Sequence, residues 1–128
     1  MDRERLVERI EEYLKALSQL EKALAQPKDE FIRDSVIQRF EFTHELAWKM
    51  LKLKLEAEGL SVRTPREALQ EALQAGLTED GNRWTDMLKM RNLTSHTYRE
   101  KLADDVYVFV GTQALPLFRQ LATKCRTW

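Results

Sequence analysis

Cysteine is all but missing from this chain. Cys125 is the single copy in 128 residues, so no internal disulfide can form, and one thiol with two histidines offers no zinc-ligand spacing. A lone thiol of this kind reads as a small apolar packing residue rather than a nucleophile. An excess of either charge is missing too. The 21 Lys and Arg are matched by 21 Asp and Glu, which excludes a protein that holds nucleic acid through its overall field and leaves room only for local contacts. No apolar run approaches the ~20 residues of a membrane-spanning helix. The start, Met1-Asp2-Arg3-Glu4-Arg5, enters an amphipathic pattern without a signal-peptide core. A cytoplasmic protein with no membrane contact is expected. Glycine and proline are scarce, and there is no internal repeat, low-complexity run or long linker. A chain of this length can bury one core without disulfides or metal, so a single domain over 1–128 is expected.

What is present is apolar spacing at helical period. Leu6, Ile10, Tyr13, Leu17, Leu20 and Leu24 follow alternating steps of four and three, the seam of an amphipathic helix. Pro27 closes it, and Asp29 is placed to cap the next. That second pattern, Glu30 to Glu58 with Gly59 just beyond, is the longest in the chain. One apolar stripe runs through Ile32, Val36, Phe40, Ala47 and Leu51, flanked by Ile37, Trp48 and Leu55. Another runs through Phe42, Leu46 and Leu53, while Asp34, Gln38, Glu41, Glu45, Lys52 and Glu56 make the polar side. One neighbouring helix would not cover both stripes, so this helix is either central in a bundle or faces a second subunit.

Thr64-Pro65-Arg66-Glu67 marks a helix start: Thr64 caps, Pro65 takes the first position and Glu67 can close a capping box. Ala68, Leu69, Ala72 and Leu73 give it a short apolar face before Gly76. A fourth helix follows the polar break at Thr78 to Asn82, anchored by Trp84, Met87 and Leu88. A fifth spans from about Lys101 to about Lys124. Val106 to Val110 alone resembles a strand, but a lone strand would have no partner. Pro116 removes a helical hydrogen bond to residue 112 and should bend this helix near Gly111-Thr112. The expected fold is all-α, an up-and-down helical bundle of about five helices.

Between the fourth and fifth helices lies Arg91-Asn92-Leu93-Thr94-Ser95-His96-Thr97-Tyr98. A cation, an amide, hydroxyls, an imidazole and a phenol crowd into this stretch, a set that core packing does not require. Metal-independent RNA cleavage needs a proton acceptor, an acid for the leaving oxygen and a cation for the phosphorane charge. His96 suits either proton role and Arg91 the third, so both are candidate catalytic residues. Asn92 or Ser95 can position a phosphate oxygen or a water. Tyr98 carries a hydroxyl that can accept a nucleotidyl group if a partner's metal activates it. On a regular helix Arg91 and His96 stand about 140° apart, so the helix must open, Arg91 must reach around, or the pocket must form across a dimer. Packing offers a plainer account: Arg91 pairing with a Glu, a structural His96, and Tyr98 with its hydroxyl at a rim. His44 reads as structural or surface, Glu41 and Glu45 as a solvated face or a holder of a partner's basic group, and Trp48 and Trp84 as core anchors.

Ile37-Gln38-Arg39-Phe40-Glu41-Phe42-Thr43-His44-Glu45-Leu46-Ala47-Trp48-Lys49, then Thr64-Pro65-Arg66-Glu67, Trp84 and the Arg91 to Tyr98 stretch, resemble in order the nucleotidyltransferase substrate-binding protein family of the HEPN superfamily. The resemblance runs over nearly the whole chain. It implies an HEPN-like four-helix core that pairs into a homodimer or higher oligomer and works with a minimal nucleotidyltransferase encoded nearby. The chain lacks the Gly-Ser and paired-Asp motif of such a transferase and is expected to be its non-catalytic, substrate-binding partner in a toxin-antitoxin-like system. Related HEPN proteins with Arg-x4-His-x-Tyr, matched by Arg91, His96 and Tyr98, are ribonuclease toxins silenced by nucleotidylation of the tyrosine, and that activity is the alternative reading. RNA or a nucleotide is then a further partner, and no metal or other cofactor of its own is expected. The chain departs from the family pattern at Met90, often acidic in relatives, and at Arg99, often small and polar or acidic.

Overall fold

The computed structural model describes residues 3–128; Met1 and Asp2, where the amphipathic reading of the N-terminus begins, lie outside them. The chain forms α1 (Arg3–Leu24), α2 (Glu30–Ala57), α3 (Pro65–Gln74) and α4 (Gly81–Leu93), then a 3-10 turn at Thr94–His96. A last long helix follows as α5 (Glu100–Phe109), a π-helical turn (Val110–Ala114) and α6 (Leu115–Cys125). This is the all-α bundle the apolar spacing predicts, with five helical rods when the interrupted last one is counted once.

Local chemistry sets most of the boundaries. The Asp29 carboxylate accepts from the Ile32 N–H at 2.7 Å and starts α2. Thr64 Oγ1 accepts from the Glu67 N–H at 3.1 Å, with Pro65 at the first helical position of α3. Glu67 does reach back, but to the N–H of Arg63 at 2.9 Å, one residue beyond the cap. Gly59 and Gly76 both take positive φ just past a helix end, where a side chain would be strained.

α1 and α2 form the central antiparallel pair. Leu6, Tyr13, Leu17 and Leu20 of α1 are buried against Val36, Phe40, Ala47, Met50 and Leu51 of α2, and Phe118 of α6 completes the middle of the core. The Tyr13 hydroxyl donates to the Phe118 carbonyl at 2.8 Å, which satisfies the one polar atom of a fully buried ring. Trp84 is a core anchor as expected and meets Phe118 edge-on at 6.1 Å between ring centroids. Trp48 is only half-buried, its indole N–H donating to Glu45 at 3.1 Å. Cys125 is buried, and burial pushes its thiol up to about 11, in keeping with a packing role.

The break expected near Gly111-Thr112 takes the form of the π turn. Pro116 has no N–H for the Thr112 carbonyl, and the Leu115 N–H bonds the Val110 carbonyl five residues back. The second apolar stripe read on α2 divides in the structure: Leu53 is buried and Leu46 half-buried, but Phe42 stands 55% exposed.

Candidate functional site

The Arg91 to Tyr98 stretch is not one regular helix. α4 ends at Leu93, the chain tightens into the 3-10 turn, and Arg99 is extended before α5 begins at Glu100. The helix is opened here, one of the three arrangements the sequence allowed, and Arg91, Asn92 and Tyr98 turn in different directions.

Arg91 turns inward, onto α2. Its Nη1 donates to Thr94 Oγ1 at 3.0 Å and lies 3.5 Å from Glu41 Oε2. Thr94, itself buried, places Oγ1 2.7 Å from both Glu41 Oε2 and the Arg91 carbonyl. The hydroxyl has one proton and can donate to one of these at a time. A charge pair, bridged by a hydroxyl, therefore ties the end of α4 to the middle of α2. One turn further along α2, His44 is 1% exposed and its Nε2 finds no hydrogen-bond partner among the described residues. Burial, then the nearby Arg91 charge, lower its pKa to about 4, so it is neutral at pH 7. Beside it, burial works against the charge of Glu45, but the Trp48 N–H, Lys49 and Arg91 outweigh it and hold the carboxyl below its ordinary range. Glu41 is thus not a free solvated face, and His44 is structural.

Tyr98 turns outward and is 74% exposed. Its ring meets that of His96 edge-on at 6.0 Å, and the Arg99 guanidinium lies 5.8 Å from its centroid. Thr97 and Tyr98 form one wall of an open groove of about 630 Å³. Phe31, Asp34, Gln38 and Glu41 of α2 are among the residues of the other wall. Glu41 thus borders the groove that displays Tyr98 while holding Arg91. Ser95 is exposed, its hydroxyl 3.4 Å from the Asn92 carbonyl. Asn92 faces a different groove, between α3 and α4. No group of three or more potential metal ligands occurs among the described residues.

The sequence puts Thr94 in the polar stretch, offers a Glu as a partner for Arg91 and reads Glu41 as a solvated face or a holder of a basic group, but it does not bring Glu41 to Thr94 or Phe31 to Tyr98. Glu41 and Thr94 are 53 residues apart, beyond any helical periodicity, and Phe31 fell outside both stripes. The signal that remained was Glu41 and Glu45 beside Thr43 and His44, an excess of polar groups on a helix that buries most of its surface.

A family model described as nucleotidyltransferase substrate binding protein like matches residues 8–127. The chain belongs to this family. Among individual members of the wider group, a curated protein from Haemophilus influenzae named probable ribonuclease HepT is 40% identical over 76 residues, covering 56% of this chain and 52% of that protein. The matched stretch thus spans about half the length of that relative. The structure of HI0074 from Haemophilus influenzae, described as the fold of a substrate binding domain of a nucleotidyltransferase, superposes with a TM-score of 0.82 at 28% identity, over 91% of this chain and 98% of that one. A tri-AMPylated Shewanella oneidensis HEPN toxin in complex with MNT antitoxin shares the fold, with a TM-score of 0.77 at 18% identity over the full length of both chains. The nucleotidyltransferase substrate binding fold is therefore the frame on which Arg91, His96 and Tyr98 sit. No helix among the described residues is long and apolar enough to cross a membrane.

Proposed function

We propose that this chain is the non-catalytic HEPN-type partner of a minimal nucleotidyltransferase encoded nearby, in a toxin-antitoxin-like pair in the cytoplasm, and that Tyr98 is the residue it presents to that enzyme. The observation that carries this is the contrast between two neighbours in sequence: Arg91 is held inward by Glu41 and Thr94, whereas Tyr98 projects into an open groove at 74% exposure. A transferring enzyme must bring the α-phosphorus of a nucleoside triphosphate to the acceptor oxygen in line, which needs an acceptor free on its outer side. Tyr98 Oη attacks that phosphorus, the bond to the β-phosphate oxygen breaks, pyrophosphate leaves and the phenolic proton passes to solvent or a base of the partner. The partner supplies the metal. His96 and Arg99, both against the Tyr98 ring, steady it for the reaction. The AMPylated toxin that shares this fold supports the same reading.

The test is to mix the purified chain with the adjacent transferase, ATP and magnesium and to measure its intact mass. Tyr98 should gain a nucleotidyl group and Tyr98→Phe should co-purify with the partner unmodified. If the wild-type chain neither binds the partner nor gains mass, the reading fails.

A second reading rests on the relative named probable ribonuclease. Here His96 moves the proton and Arg91 faces the phosphate, which requires the Arg91 guanidinium to leave Glu41. RNA cleavage in EDTA, lost in both His96→Ala and Arg91→Ala, would establish it. Cleavage that persists in both variants would come from another site or another protein. In either reading a second copy of the chain covers the α2 face beside Tyr98.

A further inference from the structure

We propose that the groove between α3 and α4 is a binding site for the phosphate ester of a nucleotide, separate from the Tyr98 groove. Its volume is about 510 Å³, within the range of small-ligand sites. Leu69, Leu73 and Leu88 give it an apolar floor, and its rim carries Arg66, Gln70, Asn82, Thr85, Lys89 and Asn92. No carboxylate lines it, although 21 of the 128 residues are acidic. The grooves of comparable size differ in this respect. Asp34 and Glu41 border the Tyr98 groove, and Glu12 and Glu45 border the one between α1 and α2. An anion entering the Tyr98 groove would meet like charge alone, and in the α1–α2 groove Glu12 and Glu45 offset Lys15 and Arg39, whereas in the α3–α4 groove it meets Arg66 and Lys89, neither of which forms an ion pair among the described residues.

The helix geometry brings those cations together. Gly81 at the start of α4 lies against Leu73 at the end of α3, so close that a Cβ at Gly81 would run into the Leu73 side chain. From that meeting point the helices run back beside each other. Arg66 lies about 10 Å up α3 from Leu73, and Lys89 about 12 Å up α4 from Gly81, at 1.5 Å per residue. Both line the groove, Arg66 on its α3 wall and Lys89 on its α4 wall, with Asn92 a turn beyond Lys89. A phosphate between them would gain charge-assisted hydrogen bonds from both sides. The carboxamides of Gln70, Asn82 and Asn92 offer both donors and acceptors, which suits the edges of a base, and the leucines offer an apolar seat for its face. Asn92 joins this groove to the Arg91 to Tyr98 turn in the chain but not to the Tyr98 groove, so the site stands or falls independently of the nucleotidylation of Tyr98.

Isothermal titration with AMP, adenosine and a 2′-O-methylated single-stranded hexanucleotide tests the site on the intact chain. AMP or the hexanucleotide should bind about tenfold or more tightly than adenosine, and Arg66→Ser with Lys89→Ser should remove about that factor, the equivalent of one charge-assisted contact. Lys15→Ser, which deletes a cation on the α1 surface, should leave binding unchanged. A hexanucleotide that binds far more tightly than AMP, with a steep fall in added salt, identifies an RNA strand as the source of the phosphate. Comparable affinities identify a free nucleotide. Amide chemical shifts should move along α3 and α4 with either ligand. The proposal is overturned if neither phosphate ligand binds at millimolar concentration, if adenosine matches AMP, or if a folded Arg66→Ser/Lys89→Ser protein, checked by its circular dichroism melt, binds as wild type.

Discussion

His44 illustrates how a single residue can be stabilising only while uncharged. Its pKa falls to about 4 in the fold, chiefly because burial penalises the imidazolium and then because Arg91 is near. The unfolded chain holds this histidine near 6.5, so between about pH 6.5 and 4 the unfolded state binds the extra proton. The contribution is therefore fully present above pH 6.5, declines as pH falls, and is gone below about pH 4. A depression of this size corresponds to roughly 3 kcal/mol. Urea unfolding of wild type should accordingly weaken from pH 7 to pH 4.5, and His44→Leu should flatten that slope whatever it does to stability at pH 7. An identical slope in the variant would assign the acid sensitivity to other groups. Thr94 makes a second case. Removing the buried hydroxyl takes away the group that the half-buried Arg91 and Glu41 side chains both touch, so Thr94→Val should cost about 1–2 kcal/mol in the same measurement. Thr94→Ser should keep most of that. The sequence singles out the stretch that contains Thr94 because its polar residues have no packing explanation. It does not reveal which of them turns inward, because that depends on Glu41, a residue related to Thr94 only through the tertiary fold.

Among the elements, α2 is tied to the rest of the bundle by a buried charge as well as by its apolar faces. Arg33 is 5% exposed, and its guanidinium reaches Glu100 at 2.6 Å, Asp104 at 3.3 Å and Asp34 at 3.0 Å. Two of those carboxylates belong to α5, so Arg33 fixes the start of α5, and with it the turn that carries Tyr98, against the start of α2. The side-chain bond to Glu100 is the largest influence keeping the guanidinium charged. Arg33→Ala removes this tie and leaves a cavity, and should lower the melting temperature by roughly 5 °C. It should also speed amide exchange at Ala103 to Val106, the first amides of α5 with helical acceptors, more than in the middle of α1; equal changes in both helices would contradict the tie. Helix starts and stops were legible here because their chemistry is local: Asp29, Thr64-Pro65, Gly59 and Gly76 act within a few residues of where they stand. Pro116 likewise marks a missing hydrogen bond. That the helix absorbs it in a π turn, rather than by ending, depends on the burial of Val110, Ala114 and Leu117 on either side, which hold both halves to the core. Arg33 gave no such local signal, since a lone arginine on a helix reads as a solvated residue until its distant carboxylates are in place.

For the whole molecule, zero net charge and a filled core leave one face unaccounted for. Phe31 and Phe42 are 75% and 55% exposed. They lie eleven residues apart on α2, which places them about 20° apart around the helix and about 16 Å apart along it. Phe31 also borders the Tyr98 groove. Exposed aromatic rings aligned on one face are the pattern of a contact surface rather than of scattered surface residues. An antiparallel pairing of α2 with its copy about a two-fold axis between Ser35 and Gln38 sets Phe31 of each chain opposite Phe42 of the other. Covering these rings in both copies removes roughly 500 Å² from water, about a third of a standard interface. Two serines should therefore be enough to separate the copies. Sedimentation at micromolar concentration should find wild type as a dimer and Phe31→Ser/Phe42→Ser as a monomer of unchanged helix content, because neither ring is part of the core. Pairing through this face places two Tyr98 grooves beside one axis, so the monomeric variant should also change the rate at which the partner transferase modifies Tyr98. A wild-type chain that sediments as a monomer at high micromolar concentration, or a double-serine variant that still pairs, would show that these phenylalanines meet something other than a second copy.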